Sequence, residues 1–311
     1  MKIDYETMAF AKINLFLRVC GKLPNGYHRL LTLMQEIGIG DEIAVSVDND
    51  EDFEIVIDSD LEGTAPEDDL CYKAAKRFYD KYSKDLRLSG FKAPESGFGR
   101  TVIKVTKHIP SQAGLGGGSS DAAAVLLILQ QHYGNPLSDE EMAQMSVGLG
   151  ADVPFFLTGG SCICEGVGED VREVDDLSGM HMLIVKPEEG VSTPECFRLC
   201  DSKPVSFDED SYRKTMDEAF GNEYDNPVTK VTKVAELLTN DLEAPACELV
   251  PRIREVTDKV KATSPVFSAM SGSGSAVFGI YKDEKSLNEA LAILSDDSDL
   301  AGCMIFPTVT V

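Results

Sequence analysis

The chain has 311 residues, enough for about two domains at roughly 100–200 residues each. Hydrophobic residues make up 43%, a globular proportion, and 53 Asp and Glu against 29 Lys and Arg leave a net charge of −24. That field repels nucleic acid and anionic membrane, so neither is an expected partner. A small anionic substrate stays open, because salt screens the field beyond about 8 Å and local cations decide binding in a pocket.

No apolar run reaches the roughly 18 residues of a membrane span, and the opening stretch, broken by Lys12 and Asn14, does not read as a secretory leader; a cytoplasmic protein is expected. Cysteines stand at 20, 71, 162, 164, 196, 200, 247 and 303 with no C-x-x-C pair. Buried reduced thiols are favoured over zinc ligation or disulfides, and no dedicated metal site is expected.

In chain order, Ala11, Ile13, Leu15, Leu17 and Val19 alternate with Lys12, Asn14, Phe16 and Arg18, which predicts a strand with Lys12 and Asn14 on one face. Gly21 to Gly26 has turn chemistry. Two alternating runs within 43–58, separated by an acidic cluster, predict a hairpin. A helix is expected near 70–84, a loop at 89–99, and a strand from Val102 that ends at Lys107. The glycine cluster at 114–118 opens a helix capped by Ser119 or Ser120, apolar nearly all round and therefore central. Ser138 and Glu141 form a capping box for a helix running to about Val147. Phe155 to Cys164 reads as a strand broken at Gly159-Gly160. Further strands are expected at 181–186 and 276–281, and helices near 228–238, 246–262 and 284–295. The polar segment 201–227 reads as surface loop or short helices. Composition shifts near residue 165, dividing the chain into 1–165 and 166–311.

The most informative stretch is Pro110-Ser111-Gln112-Ala113-Gly114-Leu115-Gly116-Gly117-Gly118-Ser119-Ser120. Four glycines remove the Cβ atoms that keep a ligand from the backbone, and the following helix aims its N–H groups and positive dipole end at the loop. That arrangement binds phosphate; a flexible turn without ligand is the plain alternative. No Lys follows in Walker A register, so that reading fails, and Ser119 stands where the dinucleotide fingerprint needs glycine, which weighs against that one. Asp121 either favours the helix N-terminus, contacts the nucleoside, or meets phosphates through Mg²⁺, the first two being preferred.

Phosphoryl transfer to an alcohol needs positioned phosphates, neutralised charge and a base. Asp152, in Gly150-Ala151-Asp152-Val153-Pro154, is a candidate base whose alternative is a helix or turn cap. Lys12 is a cation on an apolar strand whose alternative is an edge lysine reaching solvent. A buried Lys12 near Asp152 would keep the carboxylate ionised and stabilise the transferred group.

The pattern P-x-x-x-G-L-G-G-G-S-S-D-A-A resembles the phosphate loop of the galactokinase–homoserine kinase–mevalonate kinase–phosphomevalonate kinase (GHMP) superfamily. Ala11-Lys12-Ile13-Asn14-Leu15, Gly26-Tyr27-His28, Glu165-Gly166-Val167-Gly168-Glu169, Asn240-Asp241-Leu242-Glu243 and Ser271-Gly272-Ser273-Gly274 extend the resemblance over most of the chain, to the kinases of cytidyl-diphospho-methylerythritol. The resemblance implies a two-domain α/β (α+β) kinase, with a ribosomal-protein-S5-domain-2-like N-terminal domain, a ferredoxin-like C-terminal domain and the active site between them. It implies a monomer or homodimer that uses ATP with Mg²⁺ to phosphorylate the 2-hydroxyl of 4-(cytidine 5′-diphospho)-2-C-methyl-D-erythritol in non-mevalonate isoprenoid synthesis. By the same resemblance Lys12 and Asp152 are catalytic; Lys107 lies near the nucleotide; Pro110 to Ser120, with Asp121, hold ATP. Tyr27 stacks on cytosine, His28 bonds its edge, and Asn14, Val167, Thr193, Pro194 and Phe197 line the substrate pocket. Asp69 stands where Asn is common near adenine, and Met34 where an aromatic is common near cytosine. Three rivals remain: a non-catalytic regulatory relative, a kinase of homoserine, mevalonate or a sugar, and a nicotinamide oxidoreductase.

Overall fold

The computed structural model describes residues 2–59, 65–88, 98–202, 206–221 and 225–311. Most of the loop expected at 89–99, and parts of 201–227, lie outside them. Ten strands and ten α-helices are present among the described residues, in the order β1 (Lys2–Lys22), β2 (His28–Asp48), β3 (Glu54–Ser59), α1 (Leu70–Leu88), β4 (Arg100–Thr106), α2 (Gly117–His132), α3 (Asp139–Ser146), α4 (Val153–Thr158), β5 (Ser161–Gly166), β6 (Asp170–Glu173), β7 (His181–Lys186), α5 (Thr193–Ser202), α6 (Glu209–Phe220), α7 (Pro227–Val234), α8 (Glu243–Leu249), α9 (Arg252–Ala262), β8 (Phe267–Met270), β9 (Val277–Tyr281), α10 (Glu284–Ser295) and β10 (Met304–Val309). Among the described residues, no helix is long and apolar enough to cross a membrane.

Two compact units form, neither continuous in sequence. The first gathers the residues up to Ala11, Ile39–Ile109 and Gly116–Thr158; the second gathers Lys12–Gly38, Pro110–Leu115 and Gly159–Val311. The long strands β1 and β2, which pair with each other, contribute residues to both.

In the first unit, β4 lies between β2 and β3, antiparallel to Glu42–Asp48 and parallel to Glu54–Ser59. The expected 43–58 hairpin is therefore corrected. Both runs alternate as strands should, but each bonds β4, and local alternation does not choose the partner. Helix α2 packs against α1 and α4 and buries Ala122 to Leu126, Ile128 and Leu129, the central position its apolar surface requires. The Ser138–Glu141 capping box is present, with Glu141 N donating to Ser138 Oγ at 3.3 Å and Ser138 N to Glu141 Oε2 at 3.0 Å. A second correction concerns Phe155 to Thr158, which form the end of α4 and not a strand. Pro154, pre-organised for a first helical turn, outweighs an apolar run whose periodicity is too short to discriminate.

In the second unit, Leu30–Gln35 of β2 pair with β5, and β5 with β6, all antiparallel. A four-stranded antiparallel sheet runs β10-β7-β9-β8. Leu183, Val185, Val256, Val260, Val277, Tyr281, Leu287 and Leu294 close its core. The helix expected over 246–262 is two helices. Pro251 lacks an N–H, and Val250 before it is pushed out of the helical region to φ −132°, ψ 86°. The acidic segment holds α6, capped by Asp208 and anchored by fully buried Met216 and Phe220. No disulfide forms among the described residues, and six of the eight cysteines are buried.

Candidate functional site

The period of strand β1 places Lys12 and Asn14 side by side, as expected. Lys12 is 3% exposed and its Nζ donates to Asn14 Oδ1 at 2.6 Å. Asn14 Nδ2 donates to Thr32 Oγ1 at 2.9 Å, and Thr32 Oγ1 to Phe16 O at 2.6 Å, so the Asn14 amide that receives the ammonium is itself fixed. The Lys12 backbone N–H donates to Leu115 O at 2.9 Å, stitching the strand to the glycine loop.

The first half of that loop lies on the turn after β8. Ser271 Oγ donates to Gly114 O at 2.9 Å, Ser275 N to Gln112 O at 3.3 Å and Ala276 N to Ala113 O at 3.1 Å. Gly114 sits at φ +74°, and a Cβ there would overlap the Ser271 carbonyl oxygen and lie 2.9 Å from its carbon. Only glycine meets both conditions. Ser111 and Gln112 are exposed, while Ala113 and Leu115 are buried beneath them.

The second half of the loop enters α2 in the first unit. Here the expected cap is corrected: Gly116, at φ +75°, holds the N-cap position, and Ser119 and Ser120 lie inside the first turns. Ser120 Oγ donates to Phe10 O at 2.7 Å, so it fastens the helix to β1 and does not cap it. A left-handed cap without side-chain oxygen leaves the Gly117–Ser119 N–H groups aimed outward at the positive end of a 16-residue helix. Such a helix start suits an anion held by backbone alone. Glycine at 117 lets the helix start sit close on Ile109, since a Cβ there would press on that side chain at 3.1 Å.

Beside this helix start, Lys107 is held between two carboxylates. Its Nζ contacts Asp41 and donates to Asp121 Oδ2 at 2.6 Å. Asp41 is fully buried, and its other oxygen accepts from His108 N at 2.5 Å and Ile109 N at 2.8 Å. Asp121 Oδ1 is buried without a hydrogen-bond partner. Burial pushes the Asp121 carboxyl up to about 7 against the pull of Lys107. Burial also pulls the Lys107 ammonium down, but Asp121 and Asp41 outweigh it and hold it above its ordinary value. Two carboxylates on one ammonium leave a negative excess, and Asp121, with the poorer set of donors, is where a proton relieves it.

Asp152 is half-buried in the turn that opens α4, its carbonyl accepting from Phe156 N at 3.3 Å. A Cβ on Gly150 would lie 3.1 Å from Ser119 Oγ, so this turn runs against the first turn of α2.

Of the residues assigned to substrate, His28 and Phe197 come together, their rings stacked at 4.6 Å and 18°. His28 Nε2 meets Asp201 Oδ1 at 2.6 Å, and Asp201 also takes Lys22 Nζ at 2.5 Å. Tyr27 is 63% exposed. Val167 N donates to Glu169 Oε2 at 2.5 Å, and Thr193 Oγ1 bonds Ser273 Oγ at 2.7 Å; Pro194 is exposed at the start of α5. Met34 is buried in β2, and Asp69 caps α1 through Cys71 N at 2.7 Å. Sequence reasoning missed Asp41, which grips Lys107, and Asp201, which grips His28. Both act across long sequence separations, and no local spacing points to either.

Comparison with known proteins follows the same lines. The GHMP kinases N terminal domain model matches residues 69–160, and the GHMP kinases C terminal model matches 229–298. The chain is 36% identical over 289 residues to a 4-diphosphocytidyl-2-C-methyl-D-erythritol kinase of Desulfitobacterium hafniense, covering 93% of this chain and 91% of the relative. It is 34% identical to that of Clostridium novyi, covering 88% and 90%. A crystal structure of 4-(cytidine 5′-diphospho)-2C-methyl-D-erythritol kinase superposes with TM-score 0.69 at 29% identity, over 98% of this chain and 99% of that one. A homoserine kinase from Cytophaga hutchinsonii superposes with TM-score 0.72 at 14% identity, covering 99% and 94%, which shows the shared fold.

Proposed function

The chain belongs to the 4-diphosphocytidyl-2-C-methyl-D-erythritol kinases of the GHMP family, and we propose how its own residues serve that reaction. The reaction transfers the γ-phosphoryl group of ATP to the 2-hydroxyl of 4-(cytidine 5′-diphospho)-2-C-methyl-D-erythritol, a step of non-mevalonate isoprenoid synthesis. The observation that carries the donor half is the left-handed glycine cap at Gly116, which leaves the α2 N-terminus as a backbone phosphate cradle.

In this reading the β- and γ-phosphates lie on the N–H groups of Gly117 to Ser119, and Lys107, its charge taken up by Asp41 and Asp121, lies near the nucleotide and steadies the helix start. Mg²⁺ bound to the nucleotide would supply neutralisation of phosphate charge; among the described residues no group of three or more His, Cys, Asp or Glu is clustered to hold a metal. Asp152 takes the proton of the acceptor hydroxyl as its oxygen bonds to the γ-phosphorus. The bond to the bridging oxygen breaks, ADP leaves with that electron pair, and Asp152 returns its proton to solvent. Lys12, its ammonium direction set by Asn14, stabilises the negative charge that develops on the phosphoryl oxygens. His28 and Phe197 receive the cytosine end with Tyr27, an exposed ring free to close on it. Asn14, Val167, Thr193 and Pro194 serve the same substrate.

Asp152→Asn tests the base. Turnover falls at least about a hundredfold while the ATP dissociation constant stays within a few-fold. Near-normal turnover removes Asp152 from that role.

A further inference from the structure

Segment 239–243 joins two parts of the second unit. Its backbone runs beside β1, with Leu17 N donating to Thr239 O and Asp241 N to Leu17 O, both at 2.9 Å. Its side chains then divide. Asp241 Oδ2 turns toward β1, taking Arg18 Nε at 3.1 Å and Val19 N at 2.8 Å. Asn240 turns the other way: its Nδ2 donates to Met270 O and to Gly272 O, each at 2.8 Å, and its Oδ1 accepts from Leu242 N at 3.0 Å. Both amide protons are thus spent on carbonyls two residues apart, which fixes the course of the Met270–Gly274 turn.

That turn is the wall behind the lysine. Gly272 has φ +54°, and a Cβ built on it would stand 3.3 Å from Lys12 Nζ, 3.3 Å from Asn14 Oδ1 and 3.1 Å from Gly114 O. Ser271 Oγ accepts from Asn14 N at 3.4 Å and donates to Gly114 O at 2.9 Å. The turn therefore passes within one side-chain carbon of the ammonium, its hydrogen-bond partner and the phosphate loop together. A shift of about 1 Å there moves all three, and displacements of that size cost catalysis far more than binding.

We propose that Asn240 is a positioning residue: by clamping the Met270 and Gly272 carbonyls it sets the place of the Lys12 ammonium relative to the glycine loop. The inference rests on the reading of Lys12 as the group that stabilises the transferred phosphoryl. Without the Asn240 donors the two carbonyls are left unpaired, the turn relaxes, and Lys12 loses its backing. Asp241 offers an internal contrast, since it belongs to the same segment but turns its side chain to the Arg18–Val19 end of the strand.

The experiment measures kcat, both KM values and thermal midpoint for Asn240→Ala, Asn240→Asp, Asp241→Asn and Lys12→Met. Asn240→Ala lowers kcat tenfold or more with both KM values within about twofold. Asn240→Asp, which turns an acceptor on two carbonyls, lowers it further. Asp241→Asn lowers the thermal midpoint but holds kcat within about twofold. An Asn240→Ala enzyme, folded at the assay temperature, with kcat within twofold overturns the proposal. Should that variant not fold, Asn240→Ser, which keeps one donor, is judged by the same criterion. Lys12→Met separates the two levels of the argument. Unchanged turnover there sinks the lysine reading itself. Lost turnover in Lys12→Met with none lost at Asn240 sinks the positioning role alone.

Discussion

Gly114→Ala is the substitution for which the structure makes the sharpest energetic statement. The residue sits at φ +74°, where an L side chain costs about 1–2 kcal/mol. The new methyl group cannot stay where it is built, because it overlaps the Ser271 carbonyl, and that neighbour is backbone. The loop must lift from the turn. Lifting it strains or breaks three hydrogen bonds, from Ser271 Oγ to Gly114 O, Ser275 N to Gln112 O and Ala276 N to Ala113 O. At about 1 kcal/mol each these bring the expected loss to about 4–5 kcal/mol, a large share of the roughly 5–15 kcal/mol of a typical domain. Gly134→Ala is the matched control: its φ is +75°, but a Cβ there meets nothing within 4 Å, so only the backbone cost of about 1–2 kcal/mol applies. Urea unfolding of the two variants beside the parent gives the difference directly, provided the denaturant slope is unchanged. Equal destabilisation by the two substitutions would refute the claim that the loop is seated on the 271–276 turn.

Asp121→Asn tests the shared lysine. The carboxyl titrates near 3.8 in an unfolded chain and is pushed up to about 7 by burial. Between those values the folded state holds more protons than the unfolded one, so this group costs stability progressively as pH rises from about 4 to about 7, and no more above that. The asparagine variant loses that slope, which urea unfolding at pH 5 and pH 8 detects; an identical pH dependence in both proteins would count against it. Asp201→Ala frees His28 from the contact at 2.6 Å, so the KM for the cytidyl substrate rises while the KM for ATP holds. Parallel rises in both would mean that His28 does not read the base.

What the sequence reveals here follows the range of the interaction. Period-two alternation is local, and it pairs Lys12 with Asn14 as the structure does. Capping is local too: Ser138 with Glu141 opens α3, and α10 spans Glu284–Ser295 as expected, with Asp283 accepting from Ser286 N at 2.8 Å. Strand partnership is not local, and the acidic turn at 48–52 gives no sign that β4 inserts between its two strands. The cap of α2 is not legible in the sequence, where two serines look like better caps than glycine. The left-handed bend at Gly116, which only the folded loop imposes, decides otherwise. Pro154 and Pro251 each carried a usable signal, one starting a helix and one splitting a helix, that the neighbouring apolar runs obscured. Asp41 and Asp201 act on Lys107 and His28 from 66 and 173 residues away, and no spacing rule reaches that far.

ADP formation by the purified protein with MgATP tests the central claim most directly, with 4-(cytidine 5′-diphospho)-2-C-methyl-D-erythritol set beside mevalonate, homoserine and galactose. The account predicts turnover with the cytidyl alcohol alone. Turnover confined to another alcohol, or none with any of them despite ATP binding, would contradict it.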